Sequence, residues 1–357
     1  MDFSSEVINW YIIHKRNLPW RNSNDPYVIW LSEIILQQTR VEQGMPYFYR
    51  FLEKYPTVEQ FAAASEDEIL NLWQGLGYYS RGRNMHFTAN QVMEKHSGIF
   101  PKSYHQLIEL KGVGEYTAAA IASFAGDEPK AVVDGNVFRL LSRYYGIDEP
   151  INSSKGKKVF TELANLVMDQ SRPGTYNQAV MEFGSLQCKP KNPDCPTCPL
   201  QPGCFAFANK LVDKLPVKLK LQKVRDRYFN YFVLIKDDEI VLNRRTYKDI
   251  WQNLHELPLI ETPEPVIADE LINSAEVSAL FGCHVRVESV NKPAVHLLSH
   301  QRIHALFIEI SNFEDKFLIT KPWFYADLQK LDELAQPKLI FAFLKNFFNL
   351  KVKSIIP

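Results

Sequence analysis

Through roughly the first two hundred positions, apolar residues recur with helical spacing, and most of these runs open on a residue able to cap a helix. Asp25 precedes Pro26, which sets an N-cap before a proline at the first helical position. Thr57 with Gln60, Ser65 with Glu68 and Ser103 with Gln106 have the capping-box spacing, and Gly126 and Gly146 stand where helices should stop. Period-two alternation is scarce in this half, so an all-α domain is predicted. After residue 227 the texture changes. YFNYFVLIKDDEIVLNRR (228–245) reads as two β-rich runs around a polar turn and RIHALFIEI (302–310) as another strand, which predicts an α+β second half. The boundary is expected within 209–227, where apolar residues thin out and Pro216 interrupts.

Composition adds little to this division. A chain of 357 residues, 46% of them hydrophobic, can fill two cores, and 41 basic residues balance 41 acidic ones, so net charge neither announces nor excludes a nucleic-acid partner. Locally, Lys210, Lys214, Lys218, Lys220, Lys223, Arg225 and Arg227 are opposed only by Asp213 and Asp226, a pattern that reads as a solvated basic linker. No apolar run nears the roughly 18 residues of a membrane span. The N-terminus MDFSSEVINW is acidic where a signal peptide is basic, and a soluble, cytoplasmic protein is expected.

Four of the five cysteines stand in one run, CKPKNPDCPTCPLQPGC, as Cys188, Cys195, Cys198 and Cys204; Cys283 is alone. Such clustering points to metal rather than disulfides, and the spacing admits either a tetrahedral zinc or a four-iron cluster. In LIELKGVGEYTAAAIASF, Gly112 and Gly114 break an apolar helix just before an alanine-rich one. Amides entering that helix can meet a DNA phosphate, or the glycines can serve a tight αα-corner. Asp134, before Gly135, Asn136 and Val137, suits an N-cap; an acid so held stays ionised and can stabilise a cationic sugar. Glu33 sits in the apolar run DPYVIWLSEIILQQTRVEQ, where burial would raise its pKa toward that of a general acid, unless it pairs with Arg40 at the surface.

PWR (19–21), SEIILQQTRV (32–41), WQGLGYYSRGRN (73–84), the hairpin and the cysteine loop together resemble, in order, the adenine DNA glycosylases of the MutY type. That resemblance implies a helix-hairpin-helix glycosylase domain at 1–208 with a [4Fe-4S] cluster on the four cysteines, a linker at 209–227 and a Nudix-like domain at 228–357. It implies hydrolysis of the N-glycosidic bond of adenine opposite 8-oxoguanine or guanine in double-stranded DNA, by a monomer associated with the nucleoid. Glu33 would protonate the adenine ring and Asp134 face the sugar, with Tyr116 and Asn136 in support. Arg21, Gln38, Tyr78, Gly112 and Gly114 would contact DNA. In the second domain HLLSHQRIH (296–304) resembles the family's lesion-sensing Phe-Ser-His turn, with Leu298 in place of the aromatic before Ser299 and His300. A glutamate-rich Nudix box is absent, so pyrophosphate hydrolysis is not expected. His296, His300 and His304 would share a face on a helix, but they lie where a loop should enter a strand.

Two other functions compete. An endonuclease III type glycosylase and lyase would place a lysine two residues after the GVG loop; Tyr116 stands there, and Lys111 lies before the turn. A catalytically silent DNA-binding module would not require Glu33 and Asp134 together.

Overall fold

The computed structural model describes residues 2–219 and 224–355, with side chains to 349. By contact the chain divides into two compact units: Met1–Ala63 with Asn84–Lys220, and Ala64–Arg83 with Leu221–Pro357. The segment 64–83, predicted with the helical half, therefore packs with the C-terminal residues. Lys220 and Lys223 of the basic stretch lie outside the described residues. Among the described residues no helix is long and apolar enough to cross a membrane.

The first unit is helical. Its central helix, Pro26–Leu36, starts where Asp25 accepts the Tyr27 amide at 2.9 Å and is buried almost all round, from Tyr27 to Ile35. It packs against Glu115–Gly126, the alanine-rich helix, whose small side chains permit a close approach. That helix ends at Gly126, and the residue after it, Asp127, takes the left-handed conformation at φ 50°. Gly146 does end its helix, Gly135–Tyr145, in that conformation. Ser65 and Glu68 form a reciprocal capping box. Ser103 does not cap: its hydroxyl is turned to the Gln106 side chain at 2.9 Å.

Among the described residues the second unit is built on a mixed eight-stranded sheet: β1 (Arg225–Lys236), β2 (Glu239–Arg244), β3 (His255–Glu256), β4 (Leu259–Thr262), β5 (Arg286–Val290), β6 (Ala294–Leu297), β7 (Gln301–Ser311) and β8 (Trp323–Asp327). β1 and β7 run parallel down its centre, from Arg225 opposite Gln301 to Leu234 opposite Ile310. Phe229 to Leu234 are all buried, so the centre of β1 lacks alternation because both its faces are covered. Phe232, Leu234, Ile308 and Ile310 join Val277, Leu280 and Phe281 in the core. Asp237 and Asp238, both at positive φ, make the tight turn into β2. Because β1 begins at Arg225, Arg225 and Arg227 belong to a strand rather than to a solvated linker. β6 and β7 form a hairpin whose turn is Leu298–His300, closed by the Leu298 amide on the Gln301 carbonyl at 2.8 Å.

One glycine fixes a helix crossing in the first unit. A Cβ on Gly184, in the helix Pro173–Leu186, would lie 2.7 Å from the Cβ of Asn136 and 2.9 Å from its carbonyl oxygen. Gly184→Ala should therefore cost about 1–3 kcal/mol through overpacking, read as a lower urea midpoint at constant m. An unchanged midpoint would mean that the two helices can part without cost.

Candidate functional site

Four chain segments of the first unit converge on a cleft of about 730 Å³, with Glu33, Tyr116, Asp134, Asn136, Arg21 and Glu182 in its wall. Glu33 comes from the central helix and is 7% exposed. The Tyr116 hydroxyl, from the first turn of the alanine-rich helix, donates to its Oε2 at 2.7 Å. Burial pushes the Glu33 carboxyl up to about 7 against that hydrogen bond, and the charge of Asp134 adds to the rise. Tyr116 is itself raised well above the phenol range by burial and by the two acids, so it remains a donor.

Asp134 caps the helix Gly135–Tyr145. It accepts the amides of Asn136 and Val137, each at 2.8 Å, and the Asn136 Nδ2 at 2.7 Å. The capping geometry follows the sequence reading, but burial is the larger influence and raises this carboxyl too, against the bonds from Val137 and Asn136. Three donors on Asp134 against one on Glu33 make Glu33 the more readily protonated of the two acids. Asn136 is not a free surface amide: its Oδ1 accepts Arg139 Nη2 at 2.9 Å.

Sequence reasoning passed over Arg139 and Arg143, which grip the cysteine loop from this same helix. Arg139 donates to the carbonyls of Cys188 at 2.8 Å and Gly184 at 2.6 Å. Arg143 donates to those of Lys189 at 2.8 Å and Leu215 at 3.1 Å, and its Nη1 lies 3.4 Å from Cys188 Sγ. Cys188, Cys195, Cys198 and Cys204 line one cavity behind it. Burial, and then the charges of the other three thiols, push Cys198 up to about 11. Four thiolates could not coexist there without a cationic centre, so this soft donor set with an adjacent guanidinium fits a metal group of net negative charge. Among the described residues, no group of three or more His, Cys, Asp or Glu side chains is gathered closely enough to hold a single metal ion.

Arg16 and Glu182 were also missed. Glu182 accepts both guanidinium groups, at 2.7 Å from Arg16 and 2.8 Å from Arg21. Its burial opposes ionisation, but the bonds from Arg16 and Arg21 prevail and hold it at about 2. Arg21, expected on DNA, is thus engaged in the cleft wall. A glutamate inside the apolar run QAVMEFGSL was the available signal, of the same kind as that for Glu33.

The remaining expected contacts divide between the units. In the first, Gln38 is exposed at φ 56° just beyond the central helix. Gly112, at φ 77°, packs on Asn84, and Gly114 opens the next helix with nothing within 4 Å of the place a Cβ would take. In the second, Tyr78 is half exposed at φ 47°, and its hydroxyl lies 2.5 Å from that of Ser299. Leu298 is partly buried, Ser299 and His300 exposed. His304 pairs with Asp226 at 2.7 Å on the sheet, apart from any cluster of histidines.

The helical part matches the family of HhH-GPD superfamily base excision DNA repair proteins over residues 31–167, and residues 230–346 match the NUDIX domain. An adenine DNA glycosylase of Buchnera aphidicola subsp. Schizaphis graminum is 33% identical over 97% of this chain and 98% of its own. The adenine DNA glycosylase of Mus musculus is 42% identical over 57% of this chain and 42% of its own. Among solved structures, a thermostable thymine-DNA glycosylase aligns with TM-score 0.54 at 28% identity, covering 58% of this chain and 95% of that one. An endonuclease III covalent intermediate on DNA aligns with TM-score 0.51 at 22% identity over the same shares, a likeness of fold.

The carboxyl of Glu33 also leaves a mark on stability. Its folded pKa of about 7 exceeds the free value of 4.5, so the stability it contributes is whole below the free value and is lost as pH rises through 7. Relative to Glu33→Gln, which cannot ionise, the parent should lose on the order of 3 kcal/mol between about pH 4 and about pH 8. Urea unfolding of both proteins measures this, and a flat difference would mean that Glu33 is solvated.

Proposed function

This chain belongs to the adenine DNA glycosylase family, and from that premise we propose that it is a monofunctional enzyme removing adenine mispaired with 8-oxoguanine or guanine. The observation that carries the reading is a buried carboxyl with a pKa near neutrality, facing a hydrogen-bonded second carboxylate across one cleft. A base flipped from the duplex enters that cleft at a cost of a few kcal/mol, less at a mispair. Glu33 transfers its proton to the adenine ring as the C1′–N9 bond breaks and its electron pair leaves with the base. Asp134 stabilises the oxocarbenium-like sugar, and water adds to C1′ as its proton returns to the Glu33 carboxylate left by the first step. The Tyr116 hydroxyl orients Glu33, Asn136 orients Asp134, and the arginine-bound Glu182 supplies a fixed anionic edge to the base pocket.

Tyr116 stands where a lyase would carry its amine, which supports hydrolysis without strand cleavage. Cys188, Cys195, Cys198 and Cys204 hold a [4Fe-4S] cluster in this reading. When bound, the cluster supplies iron–thiolate bonds that fold the loop, so that Lys189 and Lys191 are presented to phosphate. Residues 1–208 carry the chemistry, acting as a monomer. Gln38 and Tyr78 enter the duplex, Gly112 and Gly114 offer backbone to phosphate, and Leu298, Ser299 and His300 in the second domain read the oxidised base.

Alkali-revealed strand scission on duplexes with adenine opposite 8-oxoguanine, guanine and thymine tests the function, and activity is expected on the first two alone. Glu33→Gln should bind the lesion duplex and lose roughly 10²- to 10⁴-fold in excision rate. Asp134→Asn should also fail, having lost the charge. Excision within a few-fold of the parent in either variant would remove that residue from the chemistry.

A further inference from the structure

The turn Leu298–His300 is held from both of its strands by residues that have no part in the roles above. We propose that Arg227 is a positioning residue that determines specificity, tying the loop 249–253 to the first residue of β7 and so setting where Ser299 and His300 stand. This rests on reading that turn as the lesion sensor.

Arg227 is 8% exposed, and its guanidinium makes five hydrogen bonds. Nε and Nη2 donate to the two oxygens of Glu261, each at 2.7 Å. Nη1 and Nη2 donate to those of Asp249 at 3.0 and 2.9 Å, and Nη1 also reaches the Gln301 Oε1 at 3.1 Å. A planar fork engaged on three sides has no rotational freedom left. Asp249 is fixed in turn, since its Oδ2 also accepts from Arg245, which is fully buried and donates to the Ile250 carbonyl at 3.1 Å. The loop so held keeps Trp251 and Asn253 at φ 60° and 64°. Trp251 meets the ring of His296, on β6, edge to face at 5.7 Å.

Both strands of the hairpin therefore lean on one loop, β6 through His296 and Trp251, β7 through Gln301, Arg227 and Asp249. Gln301 also closes the turn with its own carbonyl, and His300 is tied by its carbonyl to the Arg225 amide at 3.1 Å. Charge pairing does not explain Gln301. Arg227 already has two carboxylates, and the neutral amide adds only a link to the turn. 8-Oxoguanine differs from guanine at the C8 oxygen and the N7 proton, so a hydroxyl and an imidazole that tell them apart must be placed finely.

The test uses the full chain and single-turnover excision of adenine opposite 8-oxoguanine and opposite guanine. Arg227→Lys and Gln301→Leu should leave the rate opposite guanine within about 2-fold and lower the ratio of the two rates on the order of 10-fold. Gln301→Glu keeps an acceptor for Arg227 and should keep the ratio. Gln301→Leu retains both carboxylate pairs, so it reports even if Arg227→Lys unfolds. Added to Ser299→Ala with His300→Ala, Arg227→Lys should lower the ratio no further. A parental ratio in Gln301→Leu, with the ratio lowered by the double alanine variant, would overturn the positioning role and leave the sensor standing. A parental ratio in the double alanine variant would overturn the sensor and this proposal with it, and equal loss in Gln301→Glu and Gln301→Leu would reduce Gln301 to packing.

Discussion

In the function proposed above, Asp134 must be screened from bulk water and still kept charged, and the start of the helix Gly135–Tyr145 supplies the donors that hold it. Desolvation acts on Asp134 and Glu33 alike. What separates them is the number of donors, two amides and Asn136 on one acid and a single phenol on the other. The same helix then spends its next turns on the cysteine loop, since Asn136 is bonded to Arg139, and Arg139 and Arg143 between them bind the carbonyls of Cys188, Lys189 and Pro190. Whatever orders the loop thus bears on the carboxylate through three consecutive hydrogen bonds.

Much of this was legible in the sequence because the decisive signals are local. Asp25, Ser65, Asp134 and Gly146 act within one turn of themselves, where short-range rules hold, and the four cysteines are close neighbours in the chain. Ser103 shows the margin of such rules, since its hydroxyl preferred a side chain to an amide. Glu33 was legible by contrast, as a charge in an apolar run. Glu182 sent the same signal, but the partners that give it meaning, Arg16 and Arg21, lie more than 160 positions away.

The arginines were the hardest to read. Arg139 and Arg143 look like the polar face of an amphipathic helix, and Arg227 like the end of a basic linker, because a guanidinium announces solubility unless its acceptors are known. Those acceptors are backbone carbonyls of a loop in the first case and carboxylates 22 and 34 positions on in the second. Burial of an arginine is a property of tertiary structure alone.

The segment 64–83 was read with the helices that flank it and packs instead with the C-terminal half. Asn253 donates to Glu66 at 2.5 Å, Arg244 to Asp67 at 2.8 Å and Arg83 to the Gln252 carbonyl at 2.8 Å. The second unit is therefore assembled from two stretches of chain, one of them an excursion from the first. A recombination event or a gene fusion that joins halves at a single junction would divide it, and a transplanted second unit would arrive without Tyr78. Inheritance of the two units as one gene is then a matter of how the polymer is threaded, whatever selection favours.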